Sequence, residues 1–318
     1  KISSVALSAI SKVSGTASAS ISKVLGVAQV HQDNLWLDIR PYDTVLSSVV
    51  QGRVGSRNAT LYNGASVSTT PTGETSFLTD GVNDAVHFRI TSASDKPPTG
   101  FPFTGESWLY RDDSLGPVSE CLWGKPHNSR YRIFDQKVIT GANSNFSDGR
   151  RFLSRFYTNK AADSDNHFRG EGNMHGPSNL LGNSSSSFTH KLSGTLTDTT
   201  DHTWYHVCTA WYEDGSSKLS QNVWINGVLM AEGQQYTASS PNFIVDAAWP
   251  WEGTVSSTYP MSWGYGYTER FTSSDIYRNQ HAGEFRMYTK KLTDEQVLHN
   301  FNATKNTMDT KYWVVDQS

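Results

Sequence analysis

Three oxygen-bearing residues, Asp80, Asn83 and Asp84, crowd into the segment Asp80-Gly81-Val82-Asn83-Asp84. They offer the hard ligands that hold calcium. The same residue types also make Asx turns, in which a side-chain oxygen caps the backbone two residues on. Both roles are open at the level of sequence. Two aromatic clusters bounded by Gly and Pro, Trp249-Pro250-Trp251 and Trp263-Gly264-Tyr265-Gly266-Tyr267, have the composition of platforms that stack on the C–H faces of sugars. Trp249, Trp251, Trp263, Tyr265 and Tyr267 are therefore candidate carbohydrate-binding residues, with loop packing or subunit contact as the alternative. Trp36, Trp204, Trp211 and Trp224 stand in strand patterns and are expected in the core. Glycoside hydrolysis requires two closely placed carboxylates. Glu106, Glu120, Glu213 and Glu284 each lack companion acids two and four or five residues away, so no catalytic residue is assigned. His167, His175 and His190 lack metal-ligand spacing. Cys121 and Cys208, the only cysteines, are expected as buried strand residues.

Those residues must be positioned by a chain of 318 residues with 27 Lys+Arg against 30 Asp+Glu, a net charge of −3. Near-neutral charge leaves no electrostatic footprint for nucleic acid or an anionic membrane, and no apolar run is long enough to span a bilayer. The 25 Gly, 11 Pro and 18% charged residues suit turn-rich β structure better than helical bundles. A hydrophobic share of 36% is low for a compact domain of this size and points to polar loops and to surfaces covered by other chains. The opening residues do not read as a signal peptide.

The strand signals are local. Leu35-Trp36-Leu37-Asp38 follows an Asp33-Asn34 turn. Phe77 to Phe88 reads as strand, Asp-rich turn and strand, a hairpin-like corner within one sheet. Trp204 to Tyr212 is apolar on both faces, as a central strand is, and Asp214-Gly215 follows as a turn. Asn222 to Met230 places Asn226-Gly227 between two apolar runs, the preferred type I′ hairpin sequence. Gly283 to Tyr288 is a further strand, followed by the one convincing helix. There Thr293 is the N-cap with Gln296 three residues on, Leu292 and Val297 hold the staple positions, and Val297, Leu298 and Phe301 form an apolar stripe over two to three turns.

The first residues repeat with a period of eleven: Lys1 to Ser11, Lys12 to Ser22, and Lys23 to Ala28. Gly15, Gly26 and the many Ser and β-branched residues disfavour the right-handed coiled coil that this period would otherwise suggest. Short strands separated by Lys-Val-x-Gly turns fit better, with a disordered Ser/Ala-rich tail as the alternative. Such a ribbon cannot bury enough surface alone, so it is expected to pair with other chains.

The Trp204-Tyr205-His206-Val207 strand, the Asp214-Gly215 turn, Ile225-Asn226-Gly227, Gly283 to Tyr288 and Leu292 to Val297 together resemble the laminin-G-like, concanavalin A-like lectin/glucanase superfamily. Asp80-Gly81-Val82-Asn83-Asp84 is similar to that family's early F-D-G-x-x-D-x-V segment. The resemblance implies an all-β jelly-roll sandwich over residues 33–306, preceded by a ribbon over 1–32 and followed by one short C-terminal helix and a tail over 307–318. It also raises calcium as a cofactor. Glucanases of this superfamily carry an E-x-D-x-x-E strand motif, which this chain lacks, so the expectation is a non-enzyme. The terminal repeat and Asn300 to Lys305 resemble structural proteins of tailed bacteriophages. The combined expectation is a virion surface protein, a capsid decoration or tail fibre component. It would associate with other virion proteins through its ribbon, form a homo-oligomer, and adhere to cell-surface glycans or cement subunits. A secreted or cell-surface bacterial adhesin is the first alternative, and a glycan-cleaving enzyme the second.

Overall fold

The structure, a computed structural model, describes residues 12–13, 16–17, 29–55, 57–89, 102–111, 123–124, 134–139, 151–157, 167–173, 186–190, 202–213, 219–235, 262–263, 265–267, 275–277 and 279–308. In chain order its strands begin with β1 (Lys12–Val13), β2 (Thr16–Ala17), β3 (Leu35–Ile39), β4 (Val45–Leu46), β5 (Val49–Val50), β6 (Asn58–Tyr62) and β7 (Ser66–Thr69). There follow β8 (Thr75–Asp80), β9 (Ala85–Arg89), β10 (Phe103–Arg111), β11 (Trp123–Gly124), β12 (Phe134–Ile139), β13 (Arg151–Tyr157), β14 (His167–Asn173) and β15 (Ser186–His190). The last are β16 (Thr203–Glu213), β17 (Leu219–Ile225), β18 (Val228–Gln235), β19 (Ser262–Trp263), β20 (Tyr265–Tyr267), β21 (Asp275–Tyr277) and β22 (Asn279–Tyr288), before the helix α1 (Asp294–Met308).

Among the described residues the strands form two nine-stranded antiparallel sheets, the all-β jelly-roll sandwich expected from sequence, and two two-stranded ones, β1-β2 and β20-β21. The first sheet runs β15-β18-β17-β16-β10-β22-β8-β7, with β3 also on β22. The second runs β14-β13-β12-β11-β19-β9-β6-β5-β4. Alternation of side chains along each strand divides the first sheet into an inner and an outer face. Its inner face meets the second sheet through rings: the Phe285 ring lies 5.1 Å from Phe88 and 6.1 Å from Trp263, and 6.0 Å from Phe77 on the neighbouring strand β8 of its own sheet. β10 and β22 are buried along both faces, because α1 covers the outer one.

The helix begins as its sequence says. Gln296 N donates to Thr293 Oγ1 at 3.3 Å and Thr293 N donates to Gln296 Oε1 at 3.0 Å, a reciprocal capping box. Leu292 and Val297, the staple pair, lie in one buried cluster with Trp224, Cys208 and Tyr288. Asp294 accepts the Trp224 indole N–H at 2.9 Å, and the Trp108 indole donates to Thr304 Oγ1 at 2.9 Å. Two expectations change here. The helix spans 15 residues, about four turns, and ends past residue 306. Its second half is held by buried Asn300 and Thr304, whereas Leu298 is exposed, so an apolar stripe alone undercounted it.

The type I′ turn is present, with φ of 51° at Asn226 and 81° at Gly227. A Cβ on Gly227 would stand 3.0 Å from Leu298 Cδ1, so this hairpin also forms the seat of α1. The Asp80–Asp84 corner differs from expectation. β8 lies in the first sheet and β9 in the second, so the corner carries the chain across the sandwich. Phe77 and Phe88 both pack on Phe285, facing one another across the interlayer rather than lying side by side. Of the N-terminal repeat, Lys12–Val13 pairs antiparallel with Thr16–Ala17, and residues 29–32 of the expected ribbon lie against the sandwich; residues 1–11, 14–15 and 18–28 lie outside the described residues, as do Cys121 and the Asp214-Gly215 turn. Cys208 is buried in a strand with its thiol free.

Candidate functional site

The corner Asp80–Asp84 sits beside a second crossing of the sandwich, Tyr62-Asn63-Gly64, which leads from β6 to β7. The two are tied together. Asn63, at φ 57°, donates from Nδ2 to the Asn83 carbonyl at 3.0 Å. Gly64 lies against Asp84 so closely that a Cβ would stand 2.7 Å from Asp84 Oδ1. No larger residue fits there without displacing the carboxylate.

Asp84 is 4% exposed. Its Oδ2 accepts the Asp80 amide at 3.2 Å, while Asp80 Oδ1 accepts the Val82 amide at 2.7 Å, an Asx turn. Asp84 Oδ1 is buried without a hydrogen-bond partner. Burial, and then the neighbouring Asp80 charge, pushes the Asp84 carboxyl above its ordinary range. The turn role therefore accounts for one oxygen of each acid. The second Asp84 oxygen has the chemistry of a cation ligand, with Asp80 and Asn83 at hand. No group of three or more His, Cys, Asp or Glu arranged to hold a metal occurs among the described residues.

Val86 and Phe88 point inward, so the alternation of β9 turns His87 to the outer face of the second sheet. On β6, Tyr62 pairs with Ala85 and Thr60 with His87, so the Tyr62 ring reaches His87 diagonally. The rings stack with centroids 4.7 Å apart and planes 17° apart. Tyr62 remains 45% exposed, so its second face is open to solvent at the edge of the corner. Exposed Val82 stands on the same corner. The sequence carried a signal for this pairing in Tyr62-Asn63-Gly64, a turn dipeptide directly after an aromatic strand end.

Of the expected aromatic platform, the structure places one residue in the core. Trp263 is fully buried, pairs with Val86 and Trp123, and packs its ring on Phe77 and Phe285, so it offers no face to a sugar. Its neighbours are the reason: a strand as short as β19, inserted between β9 and β11, directs this residue inward. Tyr265 and Tyr267 lie on β20, paired with β21. Trp249 and Trp251 lie outside the described residues.

The carboxylates that looked isolated along the chain meet across strands. Registers align Asp38, Arg286, Glu106 and Cys208 in one row on β3, β22, β10 and β16. Arg286 Nη1 donates to Glu106 Oε1 at 2.7 Å, its Nε lies 3.2 Å from Asp38 Oδ1, and its remaining nitrogen pairs with Glu284. Arg40 Nε donates to Asp38 Oδ1 at 2.8 Å, and the Tyr42 hydroxyl donates to Glu284. Burial alone would raise Glu106, but His206 and Arg286, with the Asn300 amide, hold its carboxyl down at about 2. Asp38 is likewise buried yet held below the ordinary range by Arg286 and Arg40. The row is closed from above by Asn300 of α1, whose Nδ2 donates to Glu106 Oε2 at 2.8 Å and to the Tyr288 hydroxyl at 2.9 Å. It is an internal ion-pair network of three acids and two arginines rather than an open pair of acids.

No family model matches the chain, and no curated protein matches it. Solved structures of similar architecture include the binding domain of botulinum neurotoxin DC in complex with SialylT, at 8% identity, 85% of this chain and 52% of the other, with a TM-score of 0.48. Domain 4 of AbnA, an extracellular arabinanase from Geobacillus stearothermophilus in complex with arabinotriose, matches at 11% identity over 84% of this chain and 98% of the other, with a TM-score of 0.43. A mutant Trypanosoma rangeli sialidase matches at 13% identity over 87% of this chain and 34% of the other, with a TM-score of 0.42. The chain spans about half the length of the neurotoxin binding domains it matches, 52% in the first case.

Proposed function

We propose that the chain is a carbohydrate-binding adhesion module without catalytic activity, displayed on a virion or cell surface by its N-terminal repeat. The observation that carries this reading is the Tyr62 ring, fixed on one face by His87 at 4.7 Å and exposed on the other. A ring held in this way can stack on a sugar at little further entropic cost. Asn63, Asn83 and Asp80 stand within the same pair of corners and supply polar groups for sugar hydroxyls. Calcium on Asp84 Oδ1 would use the buried carboxylate oxygen that the turn leaves without a hydrogen-bond partner. The fully buried Glu106 and Glu284, both engaged by Arg286, support a non-catalytic role, since neither reaches a glycosidic oxygen from beneath α1.

Single shallow sites of this kind bind weakly, and many copies on one assembly raise avidity. That is the part assigned to the repeat over residues 1–32, whether on a capsid, a tail fibre or a bacterial surface. The test is retention of the purified chain on an array of bacterial-surface and host glycans. Tyr62→Ala is expected to lower retention about fivefold, the loss of one stacking contact of roughly 1 kcal/mol. Binding to no glycan, or equal retention by Tyr62→Ala, refutes the reading; release of sugar products from laminarin-type polysaccharides would favour the enzyme instead.

A further inference from the structure

We propose that residues 29–34 form a latch that clasps the N-terminal segment to the sandwich, and that protonation of His31 opens it. Val30 is buried, and the chain on either side is held by groups from α1 and from the end of β22. His31 N donates to Asn300 Oδ1 at 2.7 Å, the His299 ring contacts the Gln29 carbonyl at 2.6 Å, and Thr289 N donates to the Asn34 carbonyl at 2.9 Å.

At the centre is the His31 imidazole. Its Nε2 lies 2.7 Å from Lys290 Nζ and 3.1 Å from Gln296 Nε2. Ammonium and amide nitrogens can only donate, so this contact requires a neutral ring with its proton on Nδ1 and a lone pair on Nε2. A proton on Nε2 would set three donors against one another and a second cation against Lys290. The other groups facing the ring are Asp33, with Oδ2 3.7 Å from Nε2, His299, and the Tyr288 ring at 6.4 Å. Asp33 alone would welcome the charge, and it is largely in solvent.

Burial and then Lys290 hold the His31 pKa below its ordinary 6.5. A histidine whose pKa is lower when docked favours docking fully above the undocked value. That contribution is lost as pH falls below about 6.5. Each further pH unit, down to the docked pKa, shifts the docked-to-open ratio by up to about tenfold.

Hydrogen–deuterium exchange on the whole chain at about pH 7.5 and about pH 5, compared as protection factors, reads the latch directly. Protection of the His31 and Thr289 amides is expected to fall severalfold or more at the lower pH. The Val297 amide, bonded within α1 to the Thr293 carbonyl at 3.0 Å, is expected to keep its protection. His31→Gln retains an acceptor for Lys290 without a titrating ring, and its protection should be flat with pH. Lys290→Gln removes the opposing charge and should make the wild-type loss shallower. Unchanged protection in the wild type, a loss shared by Val297, or the same pH dependence in His31→Gln overturns the proposal.

Discussion

Asn300→Ala tests how far the helix and the charged row depend on one another. The side chain makes three bonds, two buried ones to the Glu106 carboxylate and the Tyr288 hydroxyl and a half-buried one from the His31 amide. A bond to a charged group contributes about 1.5–3 kcal/mol and each neutral one about 0.5–1.5, which together predict a loss of about 2.5–6 kcal/mol. Alanine is the better helix former, so intrinsic propensity works against the loss rather than for it. Set against a typical domain stability of about 5–15 kcal/mol, this removes a large fraction of the total. In urea unfolding followed by tryptophan fluorescence and circular dichroism, the midpoint should fall by about 1–3 M for a slope of about 2–3 kcal/mol/M. Asn302→Ala, two positions on and exposed, should move it by less than about 0.5 kcal/mol in free-energy terms. A loss under about 1 kcal/mol for Asn300→Ala, or equal losses for the two variants, would refute the idea that Asn300 couples α1 to the row.

Glu106, held down at about 2 against an ordinary 4.5, contributes stability that is complete above about 4.5 and is lost as pH falls from there toward 2. Urea midpoints measured across that range should decline in the wild type and less steeply in Glu106→Gln; parallel declines would remove Glu106 from the account. At Asp84 the sign is opposite, since a raised pKa makes the ionised carboxylate a cost to the fold at neutral pH. In chelator Asp84→Asn should melt no lower than the wild type, and millimolar-range calcium should raise the melting temperature of the wild type alone. A wild type indifferent to calcium leaves the Asx turn as the whole role of this corner.

What could be read from the sequence was whatever neighbouring residues decide among themselves. The Thr293/Gln296 box and the Asn226-Gly227 turn are short-range hydrogen-bond and φ problems, and each is met as written. The Asp80 corner was legible as a turn but not as a crossing, because the choice between one sheet and two is made by Phe285, some 200 residues away. Trp263 looked like a loop aromatic because β19 is two residues long, too short for alternation to register. Glu106 reads as solitary because its partners are set by strand order: Arg286 reaches it across a separation of 180 residues. Tyr62 and His87 were hidden for the same reason, although a turn signal follows Tyr62 directly.

The position of β22 bears on how the protein is made. This strand pairs with β10 on one side and with both β8 and β3 on the other. As the ribosome works from the amino terminus, β3, β8 and β10 emerge with one edge each waiting for a strand that comes about 170–250 residues later. During that interval their apolar edges are open to wrong pairing, the usual route to aggregation in β proteins. Arg286 is then expected to disfavour a slipped register. A slip of one residue would turn it into the layer of Phe88 and Trp263, away from Glu106 on β10 and Asp38 on β3, so the correct register is the one that pairs it with both. Chains cut short before residue 279 should accumulate as insoluble material rather than as a smaller sandwich.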